Sequence, residues 1–474
     1  MILNGTEVIA AISTAYGRGG IAVIRVSGDG AVEIAEKMFI PKSGKALSVC
    51  GSREAVYGDI LSDGERIDDG VAVIFRAPAS YTGEDTVEIS CHGGILLTEK
   101  VLASVLSCGA RLASAGEFSQ RAFVNGKIDL SGAEAIIGLI DAENDAQIKL
   151  YASHSSGVLK RRVDGFCREL TDILSSVYVC IDYPDEDLEE LGRDEMAERI
   201  EALISDINGT LRTYREGKAV SCGIDTVIIG KPNVGKSSLL NRLLGEERAI
   251  VTEVAGTTRD VIEERLNLER ITLNICDTAG IRETEDEVER IGVRRAVEKA
   301  ENAELTVAVF DISRPPDEND RAVAMRAADA LSRGKSVICA LNKTDKAAFS
   351  AEEFMSALFG EEAPEYAKDI TVVPVCAVSG DGTEELKRAA ERLFVDGSID
   401  YSSTAVISSA RQHAALTSAV SALCDAREAL RSGFGTDVCG IDIERAYSCL
   451  GEVDGRAVTE QVTDEIFHRF CVGK

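Results

Sequence analysis

Thr226-Val-Ile-Ile-Gly-Lys-Pro-Asn-Val-Gly-Lys-Ser-Ser-Leu-Leu-Asn-Arg-Leu-Leu244 reads as an apolar strand, a glycine-rich turn and a helix in immediate succession. The turn, Gly230 to Ser237, has the spacing of a phosphate-binding loop. In such a loop successive backbone N–H groups and the helix N-terminus converge on phosphate oxygens. Lys236 adds a positive charge at the far end, and the Ser237 hydroxyl is offered to Mg²⁺. The expected contacts are Asn233, Val234, Gly235, Lys236, Ser237 and Ser238. A glycine turn that binds nothing is the bland alternative, and three further segments argue against it.

Those segments follow in order: Thr257-Thr258, Asp277-Thr278-Ala279-Gly280 and Asn342-Lys343-Thr344-Asp345. Asp277 ends the apolar run Ile271 to Cys276, which sets a carboxylate at a strand's C-terminal edge, where it can hold the Mg²⁺ shell. Gly280 leaves its N–H free to approach a γ-phosphate without a Cβ in the way. Asn342 to Asp345 follow a second run, Ser336 to Leu341. The Asp345 carboxylate can accept two parallel hydrogen bonds from guanine, which adenine cannot supply, and a buried acceptor left unpaired makes that choice strong. Together the four segments describe a GTP site in an α/β P-loop domain. The residue after Gly280 is Ile281, whose side chain can neither donate nor accept, so another group must orient the attacking water. The acidic stretch Glu283 to Glu289 supplies candidates; no arginine is obviously aimed inward as a finger, and Arg282 and Arg259 are the nearby ones.

The chain has 474 residues, which suggests three domains. Its net charge is −28, and residues 1–130 carry 12 Lys+Arg against 16 Asp+Glu, so −4 of it. Bulk electrostatics therefore exclude a general nucleic-acid binder, and any RNA contact needs a local basic patch or a partner protein. Thirteen cysteines without paired spacing read as free thiols in a reducing cytosol, and four scattered histidines form no metal motif. No apolar run reaches the length of a membrane span, so the expectation is a cytoplasmic protein with no membrane partner.

Flanking the GTP segments, residues 1–122 read as a mixed α+β unit, with strands at Gly20–Val26, Gly70–Phe75 and Thr86–Ser90 and a helix at Ile95–Ser107. From residue 123 the texture turns helical, with apolar stripes at Leu130–Asp141 and Met196–Ile207 and a break at Pro184. Helical patterns return at 408–434 and 441–451. Two helical halves, 123–218 and 397–474, around a G segment at 219–396 predict a G domain inserted into one all-α domain. Arg18, Arg25, Tyr81 to Glu84, Glu88 and His92 sit in glycine-rich surroundings. By themselves such residues are more often surface ion pairs than ligands.

Further residues carry a resemblance along essentially the whole chain: Gly17-Arg-Gly-Gly20, Ile24-Arg-Val-Ser-Gly28, Tyr81-Thr-Gly-Glu-Asp85, His92-Gly-Gly94, Ala115 to Asn125, Lys127-Ile-Asp-Leu130, Gly256-Thr-Thr-Arg-Asp260, Asp286 to Gly292 and Cys471-Val-Gly-Lys474. The chain resembles the MnmE (TrmE) family of tRNA-modifying GTPases. The resemblance implies action with an FAD-dependent flavoprotein, MnmG, to place a carboxymethylaminomethyl or aminomethyl group on C5 of a tRNA wobble uridine. It implies a homodimer formed by an N-terminal domain that binds 5,10-methylene- or 5-formyl-tetrahydrofolate. The folate contacts carried over are Arg25, Glu88, Lys127 and Lys474. Cys471 matches the family's tail cysteine, a catalytic candidate whose alternative is a buried structural thiol.

For the GTP site the resemblance implies K⁺-stimulated hydrolysis, with the cation in the place of an arginine finger. Asn233, Thr252, Val254 and Thr257 would contact K⁺, within a nucleotide-facing stretch of Thr252, Glu253, Val254, Ala255, Gly256 and Thr257. Thr258 would join Ser237 at Mg²⁺, Glu289 would orient water, and Lys236 would serve catalysis through its charge. The family's last guanine loop has Ser-Ala; here it is Cys376-Ala377-Val378, which keeps the Ala377 N–H expected to meet the guanine oxygen. The alternatives are a ribosome-assembly-type GTPase switch that binds RNA, and an N-terminal unit that only dimerises.

Overall fold

The computed structural model describes residues 7–182, 192–245, 263–276, 301–359, 370–395, 397–432 and 436–474. The chain is multidomain. It forms two compact units, one from Met1–Ile140, His154–Ile207 and Ala414–Lys474, the other from Asp141–Ser153 and Asn208–His413.

The second unit is built on a six-stranded sheet: β8 (Ile224–Ile229), β9 (Glu263–Asn267), β10 (Thr272–Cys276), β11 (Leu305–Asp311), β12 (Ser336–Asn342) and β13 (Thr371–Pro374), in the order β13-β12-β11-β8-β10-β9. All neighbours run parallel except the antiparallel pair β9 and β10. β11 is buried at every residue, as a parallel strand covered on both faces must be, and its sequence is accordingly apolar without alternation. One face packs Leu239, Leu243, Val307, Ile338 and Val373. The other packs Phe310, Phe354 and Leu358, with the two phenyl rings 6.2 Å apart. From β8 the chain passes to β10 on one side and later to β11 on the other. The strand order thus reverses beside β8, and the carboxyl end of that reversal is where open α/β sheets bind ligands.

In the first unit, a seven-stranded sheet runs β3-β4-β5-β6-β2-β1-β7, where β1 is Ile9–Ile12, β2 Ile21–Ser27, β3 Phe39–Pro41, β4 Ala55–Ser62, β5 Glu65–Phe75, β6 Thr86–His92 and β7 Arg111–Leu112. It is antiparallel apart from β1 and β7. Along β2 burial alternates, with Ala22, Ile24 and Val26 in the core and Arg25 between them on the other face. The helix Ile95–Ser107 lies where expected, and its Val101 and Val105 join that core.

Helices Leu130–Ile140, Arg193–Leu211, Ala410–Arg431 and Thr436–Asp454 match the helical patterns of the sequence, and Val158–Asp182 is a further long helix within the segment expected to be helical. The break expected at Pro184 lies outside the described residues. Glu117–Val124 and Glu460–His468 are two further helices that the apolar periodicity did not announce. They come together in a small aromatic core of Phe123, Phe467 and Phe470. Among the described residues every cysteine is free, and no helix is long and apolar enough to cross a membrane.

Candidate functional site

Gly230 to Gly235 join β8 to the helix Lys236–Gly245 at the reversal point of the sheet. Gly235 has φ +99, and a Cβ there would stand 2.3 Å from Asn342 Nδ2, so both the turn and its neighbour require glycine. Asn233 also takes a left-handed φ of 65°. Lys236 Nζ donates to the carbonyls of Gly230 (2.8 Å) and Lys231 (3.0 Å), which holds its charge against the loop. Val234 is fully buried, while Ser237 lines a cavity of about 100 Å³ with Lys236, Asn241, Glu264 and Cys276. Among the described residues Glu264 Oε2 is buried there without a hydrogen-bond partner. A serine hydroxyl and an unspent carboxylate oxygen are hard donors of the kind Mg²⁺ selects.

Asn342, at the end of β12, couples three loops. Its Nδ2 donates to the Val234 carbonyl (2.8 Å), and its Oδ1 accepts from the Ala377 N–H (3.0 Å). The Ala377 N–H, expected to meet a guanine oxygen, is here engaged by Asn342. Lys343 reaches back to the Asn233 carbonyl (3.0 Å) and to Asp311 (2.7 Å). Thr344 Oγ1 donates to Val375 (3.2 Å), and the Cys376 thiol donates to Asp345 Oδ1 at 3.3 Å. Val378 is 80% exposed, and Ser238 follows Ser237 in the first turn of the helix. The first and last segments are therefore brought together. Thr252, Glu253, Val254, Ala255, Gly256, Thr257, Thr258, Asp277, Thr278, Ala279, Gly280 and Glu289 lie outside the described residues.

Three acids behind this site escaped sequence reading. Burial pushes the Asp311 carboxyl up, but the ammonium of Lys343 and the donors of Ser313 outweigh it and hold the group below its ordinary value. Its signal was available: Asp311 ends an apolar run, as Asp277 does in the sequence. Lys231, 6% exposed, is held by Asp317 (2.6 Å) and Asp320, which form the capping box of the helix Glu318–Ser332. Lys231, and behind it the donors of that box, hold the Asp317 carboxyl down at about 2. Nothing local in the sequence pairs a loop lysine with a helix cap 86 residues on.

The first unit holds a separate polar cluster. Arg25 on β2 and Glu88 on β6 stand directly opposite in register and pair at 2.8 Å. The guanidinium lies 5.1 Å from the Tyr81 ring centroid and 5.6 Å from that of Phe118. The C-terminal residues dock beside it: Val472 bridges to Ala115, and the Gly473 carbonyl accepts from Ser13 Oγ (3.0 Å) and Arg25 Nη1 (3.5 Å). Gly473 has φ +105, and a Cβ on it would sit 2.1 Å from the Ile12 carbonyl oxygen. Lys127 Nζ donates to the Pro78 carbonyl (2.9 Å), and its stem packs near Gly83 in the loop that carries Tyr81. Arg25, Glu88 and the tail are thus together, with Lys127 on the adjoining loop and Lys474 half-buried. Cys471 is exposed, so the alternative of a buried thiol does not apply to it. Beneath the cluster runs a network the sequence did not suggest. Arg121, 3% exposed, pairs with Glu117 (3.0 Å) and Glu84 (3.1 Å), and Arg111 pairs with Glu117 (2.6 Å).

Among the described residues no group of three or more His, Cys, Asp or Glu side chains is placed to hold a metal ion. The model for the MnmE helical domain matches residues 130–471, and that for the GTP-binding protein TrmE N-terminus matches residues 8–127. The chain is 41% identical to a tRNA modification GTPase MnmE of Clostridioides difficile, over 99% of each chain. It is 42% identical to one of Bacillus cereus, again over 99% of each. Among solved structures it is similar to Aquifex aeolicus Era bound to GDP and AlF4⁻, at 27% identity and a TM-score of 0.27, covering 42% of this chain and 66% of that one.

Proposed function

The chain belongs to the MnmE family of tRNA modification GTPases and is a GTP-hydrolysing enzyme, and we propose that its hydrolysis is K⁺-stimulated and drives wobble-uridine modification. In this reading it works as a cytoplasmic homodimer with an FAD-dependent flavoprotein, MnmG. Together they add an aminomethyl-type group to C5 of the uridine in tRNA, using a one-carbon unit from tetrahydrofolate. The segments keep their division: 1–122 for folate and dimerisation, 219–396 for the G domain, and 123–218 with 397–474 for the helical domain into which it is inserted.

At the nucleotide, Lys236 and the loop N–H groups hold the phosphates, and Asp345 reads the guanine edge. Ser237 with Thr258 would hold Mg²⁺, and Asn233, Thr252, Val254 and Thr257 would hold K⁺. Such cations, when bound, neutralise charge that develops on the β/γ-bridging oxygen. Glu289 orients the water. At the folate, Glu88 accepts from the amino-pterin ring, while Arg25, Lys127 and Lys474 favour the anionic tail. Cys471, exposed and two residues before Gly473, is the candidate catalytic thiol.

The observation that carries the reading is the docking of Val472 and Gly473 beside the Arg25–Glu88 pair, which a GTPase switch alone does not need. Calorimetric titration of the full chain with 5-formyltetrahydrofolate tests it. Binding is expected, with loss in Glu88→Ala; no heat with the wild-type chain overturns the folate role. Turnover that stays flat when Na⁺ is exchanged for K⁺ at constant ionic strength removes the cation role.

A further inference from the structure

The first unit contains a cleft of about 480 Å³ between the helices Val158–Asp182 and Thr436–Asp454, lined by none of the residues of the clusters described above. Arg161, Asp164, Arg168 and Thr171 line it from one helix at spacings of three and four, so a single helical stripe faces it. Tyr447 and Arg456 close it from the other side. Arg456 is committed to Asp454 (2.6 Å), whose side chain is 2% exposed, and to Asp164 (3.1 Å). Arg161 and Arg168 are different. Both are exposed, and each makes one hydrogen bond among the described residues: Arg161 to the Ser156 carbonyl (2.7 Å), Arg168 to the Asp164 carbonyl (3.2 Å). With five N–H donors apiece, most of their donor capacity is unspent.

The surrounding charge makes this unusual. On a chain of net charge −28, the first turn of Val158–Asp182 holds no acid, and Lys160-Arg161-Arg162 follow directly on Val158-Leu159. Cations at a helix N-terminus oppose the macrodipole, so local helix stability does not account for them. Lys160 and Arg162 answer to Asp129 (3.8 Å) and Asp206 (3.4 Å), which leaves Arg161 and Arg168 as the cations facing the cleft without a carboxylate of their own among the described residues. Forked guanidinium donors match phosphate oxygens. The Tyr447 ring, with its hydroxyl unpaired among the described residues, offers a base a stacking surface, and the Thr171 hydroxyl, which donates to the Cys167 carbonyl (2.8 Å), can still accept from a ribose 2′-OH.

We propose that this cleft binds the RNA backbone: Arg161 and Arg168 take adjacent phosphodiesters of tRNA while Tyr447 stacks on a base. The proposal rests on the tRNA role argued above and supplies the basic patch that an acidic chain requires.

Anisotropy of a fluorescein-labelled tRNA transcript, titrated with the full chain at several salt concentrations, tests it. Arg161→Ala/Arg168→Ala is expected to weaken binding at least about fivefold at low salt and to lower the slope of log affinity against log salt by about two. Tyr447→Ala weakens binding and leaves the slope unchanged. Should the double variant fold poorly, Arg168→Gln alone carries the test, with a slope lower by about one. Unchanged affinity and slope, or a wild-type chain that does not bind the transcript, overturns the proposal. GTP turnover, measured on the same samples, reads the nucleotide assignment separately and is expected to be unaffected by the cleft variants.

Discussion

The proposed nucleotide and folate sites are assembled by opposite means. The first lies along one edge of one sheet, and each contributing loop follows directly on a strand: Gly230 on β8, Asp311 at the end of β11, Asn342 at the end of β12. The second joins Arg25 to Gly473 across 448 positions of chain, through a tail only a few residues long. A site of the first kind inherits its geometry from the sheet. A site of the second kind has the strength of the tail's docking and no more.

The largest effect that would sharpen this contrast is at Lys236. Lys236→Ala is expected to lower GTP turnover on the order of a hundredfold to a thousandfold, with 5-formyltetrahydrofolate binding and the circular dichroism spectrum unchanged. Loss of folate binding in that variant would break the separation of the two sites. The counterpart is Gly473→Ala, whose Cβ meets the Ile12 oxygen at a positive φ. Strain of about 1–3 kcal/mol is expected to release the tail and to weaken folate binding about tenfold or more. Hydrolysis by the same preparation should match wild type, and intact folate affinity would show that the tail is not part of that site.

Smaller effects probe the frame behind the nucleotide loop. Asp317 has a folded-state pKa of about 2, below its ordinary 3.8, because Lys231 and the helix cap favour its charged form. Its contribution is present above about pH 4 and fades as pH falls through about 2, so Asp317→Asn should flatten acid unfolding in that window. Circular dichroism against pH reads it, and identical curves for variant and wild type would show that the cap does not brace the loop. Smallest is Cys376→Ser. The thiol donates to Asp345 at 3.3 Å, and a hydroxyl donor is shorter and stronger. GTP affinity should rise by no more than a few-fold, measured by displacement of a fluorescent nucleotide; a loss would mean that Asp345 is positioned by something else.

The same contrast explains what the sequence made legible. Strands β8, β10 and β12, the P-loop and the Asn342–Asp345 loop could be read directly, because apolar runs, glycines and polar residues succeed one another within about twenty positions. Strands β1, β3, β4 and β7 gave little signal, since β3 and β7 have three and two residues and β4 is interrupted by Tyr57 and Asp59. Helix Glu460–His468 is short and was not announced, yet it carries the tail to its dock. The pairings Lys231–Asp317, Arg121–Glu84 and Arg25–Gly473 are long-range, and no periodicity encodes them. Arg25, Glu88, Lys127 and Lys474 were assigned to folate only through family resemblance; the glycine-rich surroundings of Arg25 and Glu88 argued by themselves for ordinary surface pairs.

The tail's position has a consequence for the birth of the molecule. Ser13 and Arg25 leave the ribosome long before Gly473 exists to accept their hydrogen bonds. At roughly 5–20 residues per second, the interval is about 20 to 90 s. Throughout it the nascent N-terminal sheet lacks the carbonyl that Gly473 supplies, so a product truncated before Gly473 would be recognisable by that open seam.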